Sequence, residues 1–155
     1  MRKVLLVLLA LIGMSFSEGD RQFVPTPLTK DVGEYFVSVG VMSITELREI
    51  FPRAYKLLVR HHGKPPKEAT HHIAVSVWKE MNEKVRYMSD MRVELELRSP
   101  ILRAVRRYLD RYPHERGDNF GGWFNMSDKG LYHIAVIIHE HGGEVKRVDF
   151  DYLIQ

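Results

Sequence analysis

The polar and apolar positions of this chain change period several times, and each change marks an element. From Tyr35 to Met42 the period is two: Tyr35, Val37, Val39 and Val41 alternate with Phe36, Ser38 and Gly40, which predicts a strand. Ser43-Ile44-Thr45-Glu46 then has the form of a capping box, and Ile44, Leu47, Ile50, Phe51, Ala54, Leu57 and Leu58 follow at helical spacing. Pro52 falls inside that pattern and removes a helical hydrogen bond, so a broken helix is predicted over Ile44 to Val59. His61 to Lys67 reads as a loop. Period two returns at Thr70, with His71, Ile73, Val75 and Val77 on one face and His72, Ala74, Ser76 and Trp78 on the other. Two short strands are predicted at Val85 to Met88 and Met91 to Leu97.

Ser99-Pro100 has the form of an N-cap with proline at the first helical position, and Ile101, Leu102, Val105, Tyr108, Leu109 and Tyr112 continue at helical spacing. A helix over Pro100 to Tyr112 is predicted, then a polar loop to Asn119. Three strands close the chain: Gly121 to Met126, Leu131 to Glu140 and Glu144 to Leu153, with a turn at Ser127 to Gly130 and a hairpin at Gly142-Gly143. The alternation skips near Arg147, which suggests a bulge. Several short antiparallel strands with turns between them predict a mostly β chain, an antiparallel β-sandwich with two helical insertions.

The first seventeen residues follow a different rule. Arg2 and Lys3 precede an apolar run from Val4 to Ile12, and Ser15-Phe16-Ser17 presents small residues before Glu18. This is the form of a secretory signal, and the run is short for a membrane span. A retained N-terminal anchor is the alternative. The expected organisation is a signal peptide (1–17) and one domain (18–155). That domain comprises an N-terminal strand and helical segment (18–69) and a sandwich body (70–155). The expected location is periplasmic or secreted, with no membrane span after cleavage.

Removal of the leader changes the charge picture. The chain has 23 Lys and Arg against 20 Asp and Glu. Without Arg2 and Lys3 the basic residues number 21 and the excess falls to +1. That excludes a nucleic-acid binder on charge grounds. One basic stretch remains, formed by Arg98, Arg103, Arg106, Arg107 and Arg111. It is either a solvated face or a patch for anionic lipid or an acidic partner. There is no cysteine, so disulfides and thiolate metal or redox sites are excluded.

The second half of the chain carries a resemblance. Thr70-His71-His72-Ile73-Ala74-Val75 begins it and the alternating strand Met91 to Leu97 follows. Phe120-Gly121-Gly122-Trp123-Phe124-Asn125-Met126, Gly130-Leu131-Tyr132-His133-Ile134-Ala135-Val136 and Val148-Asp149-Phe150-Asp151-Tyr152 complete it. In this order the segments resemble exported immunoglobulin-like domains of the bacterial envelope, the YtkA-like and FixH-like domains. More distantly, they resemble the periplasmic copper-binding proteins associated with iron transport. The resemblance implies an immunoglobulin-like sandwich. In the iron-transport relatives it implies a metal site of His and Met side chains, one His standing just before the aromatic-Gly strand. Asn119 holds that place here, with His114 five residues upstream.

Histidine is the conspicuous chemistry. His61-His62 and His71-His72 are pairs, and His114, His133, His139 and His141 are single. Imidazole binds zinc and copper without help from cysteine, and methionine thioether is the remaining soft donor. The expected metal ligands are His71, His72 and His114, with Met88 or Met91 next; His139 and His141 form a further His-x-His pair on one strand face. No serine sits in a nucleophile elbow and Gly121-Gly122 lacks the lysine of a phosphate loop. The expectation is a non-enzymatic exported protein that binds a transition metal, copper or else zinc, in envelope metal handling. The alternative is an envelope docking or assembly module, with a protein partner and no metal.

Overall fold

The computed structural model describes residues 28–114 and 117–155; the expected leader lies outside them. Among the described residues ten strands form two antiparallel sheets. The first holds β1 (Leu28–Asp31), β2 (Phe36–Ser43), β3 (His71–Met81), β8 (Gly117–Phe124) and β7 (Asp110–His114) in that order, with β4 (Lys84–Tyr87) also paired to β3. The second runs β10 (Val145–Ile154), β9 (Gly130–Glu140), β5 (Met91–Arg98), β6 (Ala104–Tyr108). Alternation fixes which side chains meet between them. Val37, Val39 and Val41 of β2 and Ile73, Val75 and Val77 of β3 face Val93, Leu95 and Leu97 of β5 and Ile134, Val136 and Ile138 of β9. The mostly β antiparallel sandwich is what the pattern foretold; both helices come from the first of the two expected helical insertions.

The helices lie on the outer face of the first sheet. Ser43 caps α1 (Ile44–Ile50), its hydroxyl accepting from the Glu46 amide at 3.1 Å. Pro52 divides the helical run as expected and serves as the first residue of α2 (Pro52–His62). Leu47, Phe51, Ala54 and Leu58 pack with Met42, Tyr112 and Trp123 in a second apolar cluster, outside the sandwich core. This layer matters for function because it seals one face of β3.

Three local expectations are corrected. Pro100 to Tyr112 is not a helix but a turn followed by β6 and the start of β7. The N-cap contact does form, the Arg103 amide donating to Ser99 Oγ at 3.2 Å, but Leu102 takes φ +63° and the backbone turns back on itself instead of coiling. Tyr112 to Asn119 is largely strand, in β7 and β8. No bulge occurs at Arg147: β10 runs in unbroken register with β9 (Arg147 opposite Ile137, Val148 opposite Val136). The skip in the pattern arises because Val145 faces solvent while Lys146, on the inner parity, extends over the Tyr35 ring.

The outer face of the second sheet carries His133 and His139, and His141 follows in the turn after β9. Glu94 is buried beneath Arg106 and His139, accepting from both, and these contacts hold its carboxyl down to about 2. His133 lies between two carboxylates, Nδ1 at 3.1 Å from Asp151 and Nε2 at 2.9 Å from Asp149, which raise its pKa. His139 is therefore engaged with Glu94, and His141 points into solvent 3.9 Å from Asp90; the two do not form a chelating pair.

Candidate metal centre

Beneath α2 two imidazoles stack on one another. His72 belongs to the outward parity of β3, opposite Met42 on β2 and Trp123 on β8. His62 is the last residue of α2, one turn beyond Leu58 and two beyond Ala54, so the apolar stripe that docks the helix carries it inward. The ring centroids are 5.2 Å apart with 25° between planes. Tyr112 and Trp123 wall the pair edge-on: Tyr112 at 5.2 Å from His62, Trp123 at 5.2 Å from His72. Trp123 is fixed by its indole N–H donating to the Gly63 carbonyl at 3.0 Å. Tyr112 hydrogen-bonds Asn119, whose Oδ1 accepts from Ser76 at 2.7 Å.

Both rings are cut off from water. His72 is 4% exposed and the His62 side chain 1%. Nδ1 and Nε2 of His62 and Nε2 of His72 have no hydrogen-bond partner. Asp110 Oδ2 lies 3.3 Å from His62 Nδ1, near enough for charge attraction but off the line of a hydrogen bond. Burial drives the His72 pKa well below its ordinary value, and the neighbouring His62 adds to that. Burial also lowers His62, with Asp110 opposing. Both rings are therefore neutral near pH 7, the form in which imidazole offers a lone pair to a metal. A polar group left unpaired in the interior costs about 1–3 kcal/mol. Two such Nε2 atoms in one box, with a third nitrogen held only by an off-axis carboxylate, are a deficit that packing does not explain.

The floor of the box is Gly121. A Cβ there would stand 2.7 Å from His72 Nε2 and 2.8 Å from Cε1, so only glycine leaves room for the ring. Gly121→Ala should lower stability by about 1–3 kcal/mol, the ordinary cost of overpacking. With His72→Ala already made, the same change should cost measurably less, and chemical unfolding of the four proteins of that cycle checks it. Beside the box a cavity of about 150 Å³, lined by His62, Lys64, Arg107, Asp110, Gly121 and Trp123, opens towards solvent. Arg107 closes one side, donating to the Trp123 carbonyl and lying over the Phe124 ring at 4.2 Å.

Of the five expected ligands, the four whose side chains are described are not brought together. His72 is in the box. His71 points to the opposite face of the sheet, where its Nδ1 is 2.7 Å from Thr70 Oγ1 and burial lowers its pKa. Met88 donates its amide to Val77, six residues further along β3 than His71, a separation of roughly 20 Å. It packs against the inter-sheet core, and Met91 is buried within that core. His114 ends β7, and its side chain lies outside the described residues. Among the described residues no group of three or more His, Asp or Glu converges as a metal-ligand set. Trp78 is buried against Phe36, Val85 and Tyr87, its N–H on Ser38 at 2.8 Å. The helix predicted to end at Val59 runs on to His62, which is why that span does not single the residue out. Continuing the 54–58 stripe by four residues would have found it.

No protein-family model matches the chain, and no curated protein matches its sequence. The fold is similar to that of a DUF4426 family protein from Pseudomonas aeruginosa, with TM-score 0.62 and 13% identity over 83% of this chain and 94% of that one. The copper-reconstituted P19 protein of Campylobacter jejuni is similar too, with TM-score 0.61 and 13% identity over 83% and 95%. So is FetP of uropathogenic Escherichia coli strain F11, with TM-score 0.58 and 12% identity over 83% and 94%. The chain thus shares the sandwich fold of these proteins, in line with the more distant of the two resemblances; the likeness to YtkA-like and FixH-like domains stays an expectation.

Proposed function

We propose that this chain is an exported, non-enzymatic sandwich protein that binds copper as cargo in envelope metal handling, with His62 and His72 as its imidazole ligands. The observation that carries the reading is the pair of buried, stacked rings whose Nε2 atoms have no hydrogen-bond partner, His62 Nδ1 facing only the Asp110 carboxylate at 3.3 Å. A cation held by one nitrogen of each ring would satisfy the lone pairs the fold leaves without a donor. The similarity to copper-bound P19 supports copper as the first ion to test. So does the donor set. Zinc favours four ligands, whereas monovalent copper accepts two neutral nitrogens and loses less hydration on entering an apolar box than a divalent ion does.

Calorimetric titration with Cu(I), Cu(II) and Zn(II) tests the proposal. Copper should bind far more tightly than about 1 mM, and His62→Ala with His72→Ala should abolish that binding. Indole fluorescence should fall with the same stoichiometry, because Trp123 borders both rings. No copper binding tighter than that limit, or binding retained in the double variant, removes the reading.

A further inference from the structure

The turn joining β5 to β6 holds two large aliphatic side chains out in water. Leu102 is 77% exposed and Ile101 56%. The turn is tightly built: the Ser99 amide donates to the Arg103 carbonyl at 2.8 Å, Leu102 donates back to the Ser99 carbonyl at 2.9 Å, and the Ser99 hydroxyl accepts from Arg103. Leu102 sits at φ +63°, a conformation that branched side chains avoid. Pro100 presses on the start of β9, where a Cβ on Gly130 would come within 3.0 Å of it. The next residue, Leu131, and its cross-strand partner Leu153 are also exposed. Two arginines flank the tip, Arg98 (3.6 Å from Glu96) and Arg103. Arg106, Arg107 and Arg111 lie away from it along β6 and β7, held on Glu94, the Trp123 carbonyl and the Ser89 carbonyl.

We propose that this end of the sandwich rests on an anionic lipid surface, with Ile101 and Leu102 entering the boundary between headgroups and acyl chains and Arg98 and Arg103 on the lipid phosphates. Protruding aliphatic residues flanked by basic ones are what such a surface takes up. A second copy of the chain would set arginine against arginine. The path of the backbone agrees. Leu28, which begins β1, lines a cavity with His133 and Asp151, and His133 is paired in register with both Arg98 and Asp151. Leu28, where the described chain begins, therefore lies on the same side of the sandwich as the tip.

The chain has no cysteine, so single nitroxide labels can be placed on the full chain without interference. Leu102→Cys reports the tip, and Glu83→Cys, in the turn at the far end of β3, is the control. With phosphatidylglycerol vesicles the label at 102 should become accessible to oxygen and shielded from aqueous nickel, while the label at 83 stays in water. Phosphatidylcholine vesicles should give neither change. Arg98→Gln with Arg103→Gln should weaken the anionic response about 25-fold, roughly fivefold for each arginine. Leu102→Gly relieves the left-handed backbone and so keeps the fold, yet it should reduce the response read from a label at Ile101→Cys. The proposal is overturned if the label at 102 remains aqueous on anionic vesicles. It is equally overturned by equal depth on both lipids with no effect of the arginine changes, or by shielding from an acidic polypeptide alone.

Discussion

Replacing His72 by leucine should raise the stability of the metal-free protein and abolish copper binding. His72 is 4% exposed and its Nε2 has no partner. An unpaired buried polar atom costs about 1–3 kcal/mol, whereas an apolar side chain of similar volume at that place costs nothing of the kind. The loss of ring contacts with Trp123 and Tyr112 gives back about 0.5–1.5 kcal/mol. The balance favours leucine by about 1 kcal/mol, which for a domain of this size raises the melting temperature by about 3–5 °C. Leucine also presents no nitrogen, so calorimetric binding of copper should vanish with it. Stability rising while binding falls is the signature of a residue kept for a ligand rather than for packing. A variant that is less stable than the parent, with copper binding intact, would assign His72 to the core instead.

The sandwich was legible because its strands bury one face and expose the other. Val37, Val39 and Val41, or Ile134, Val136 and Ile138, announce both the strand and the side that faces inward. Pro52 was equally legible, since a missing N–H has one meaning inside a helical stripe. The segment after Ser99 misled because apolar spacing carries no information about burial. Ile101, Leu102, Val105 and Tyr108 do recur at helical intervals, but all four are exposed. Only Leu109 and Tyr112 turn inward, at the corner where the chain passes from one sheet to the other. What the pattern there registered was a β-prone edge strand with an apolar tip. The site divides in the same way. His72 could be placed on the outward face of β3 by parity alone. Its stacking on His62 could not be read, because it depends on how far α2 extends and on where the helix docks, both settled by tertiary packing around Trp123 and Tyr112. Local pattern places a residue on a face; it does not say what covers that face.

Acid should destabilise the metal-free protein before its carboxylates protonate, and His72 should be the main cause. In the unfolded chain its imidazole takes up a proton near pH 6.5. In the native state burial keeps it neutral to well below that pH. Below about 6.5 the unfolded state therefore binds more protons than the native one, and stability falls as pH is lowered, by up to about 1.4 kcal/mol per pH unit for one such residue while the native ring stays neutral. Above that pH both states are neutral and His72 gives no slope. His62 works in the same direction but less strongly, since the Asp110 carboxylate 3.3 Å away favours its charged form. His133 opposes both. Asp151 and Asp149 raise its native pKa, so its contribution is complete below its unfolded value and disappears as pH rises through the raised one. Chemical unfolding between about pH 7.5 and about pH 5 should show a falling stability that His72→Leu flattens and His133→Gln steepens. A profile unchanged by His72→Leu would mean that this ring gains a proton in the folded state without penalty, and a box that admits a proton so freely would be open to water.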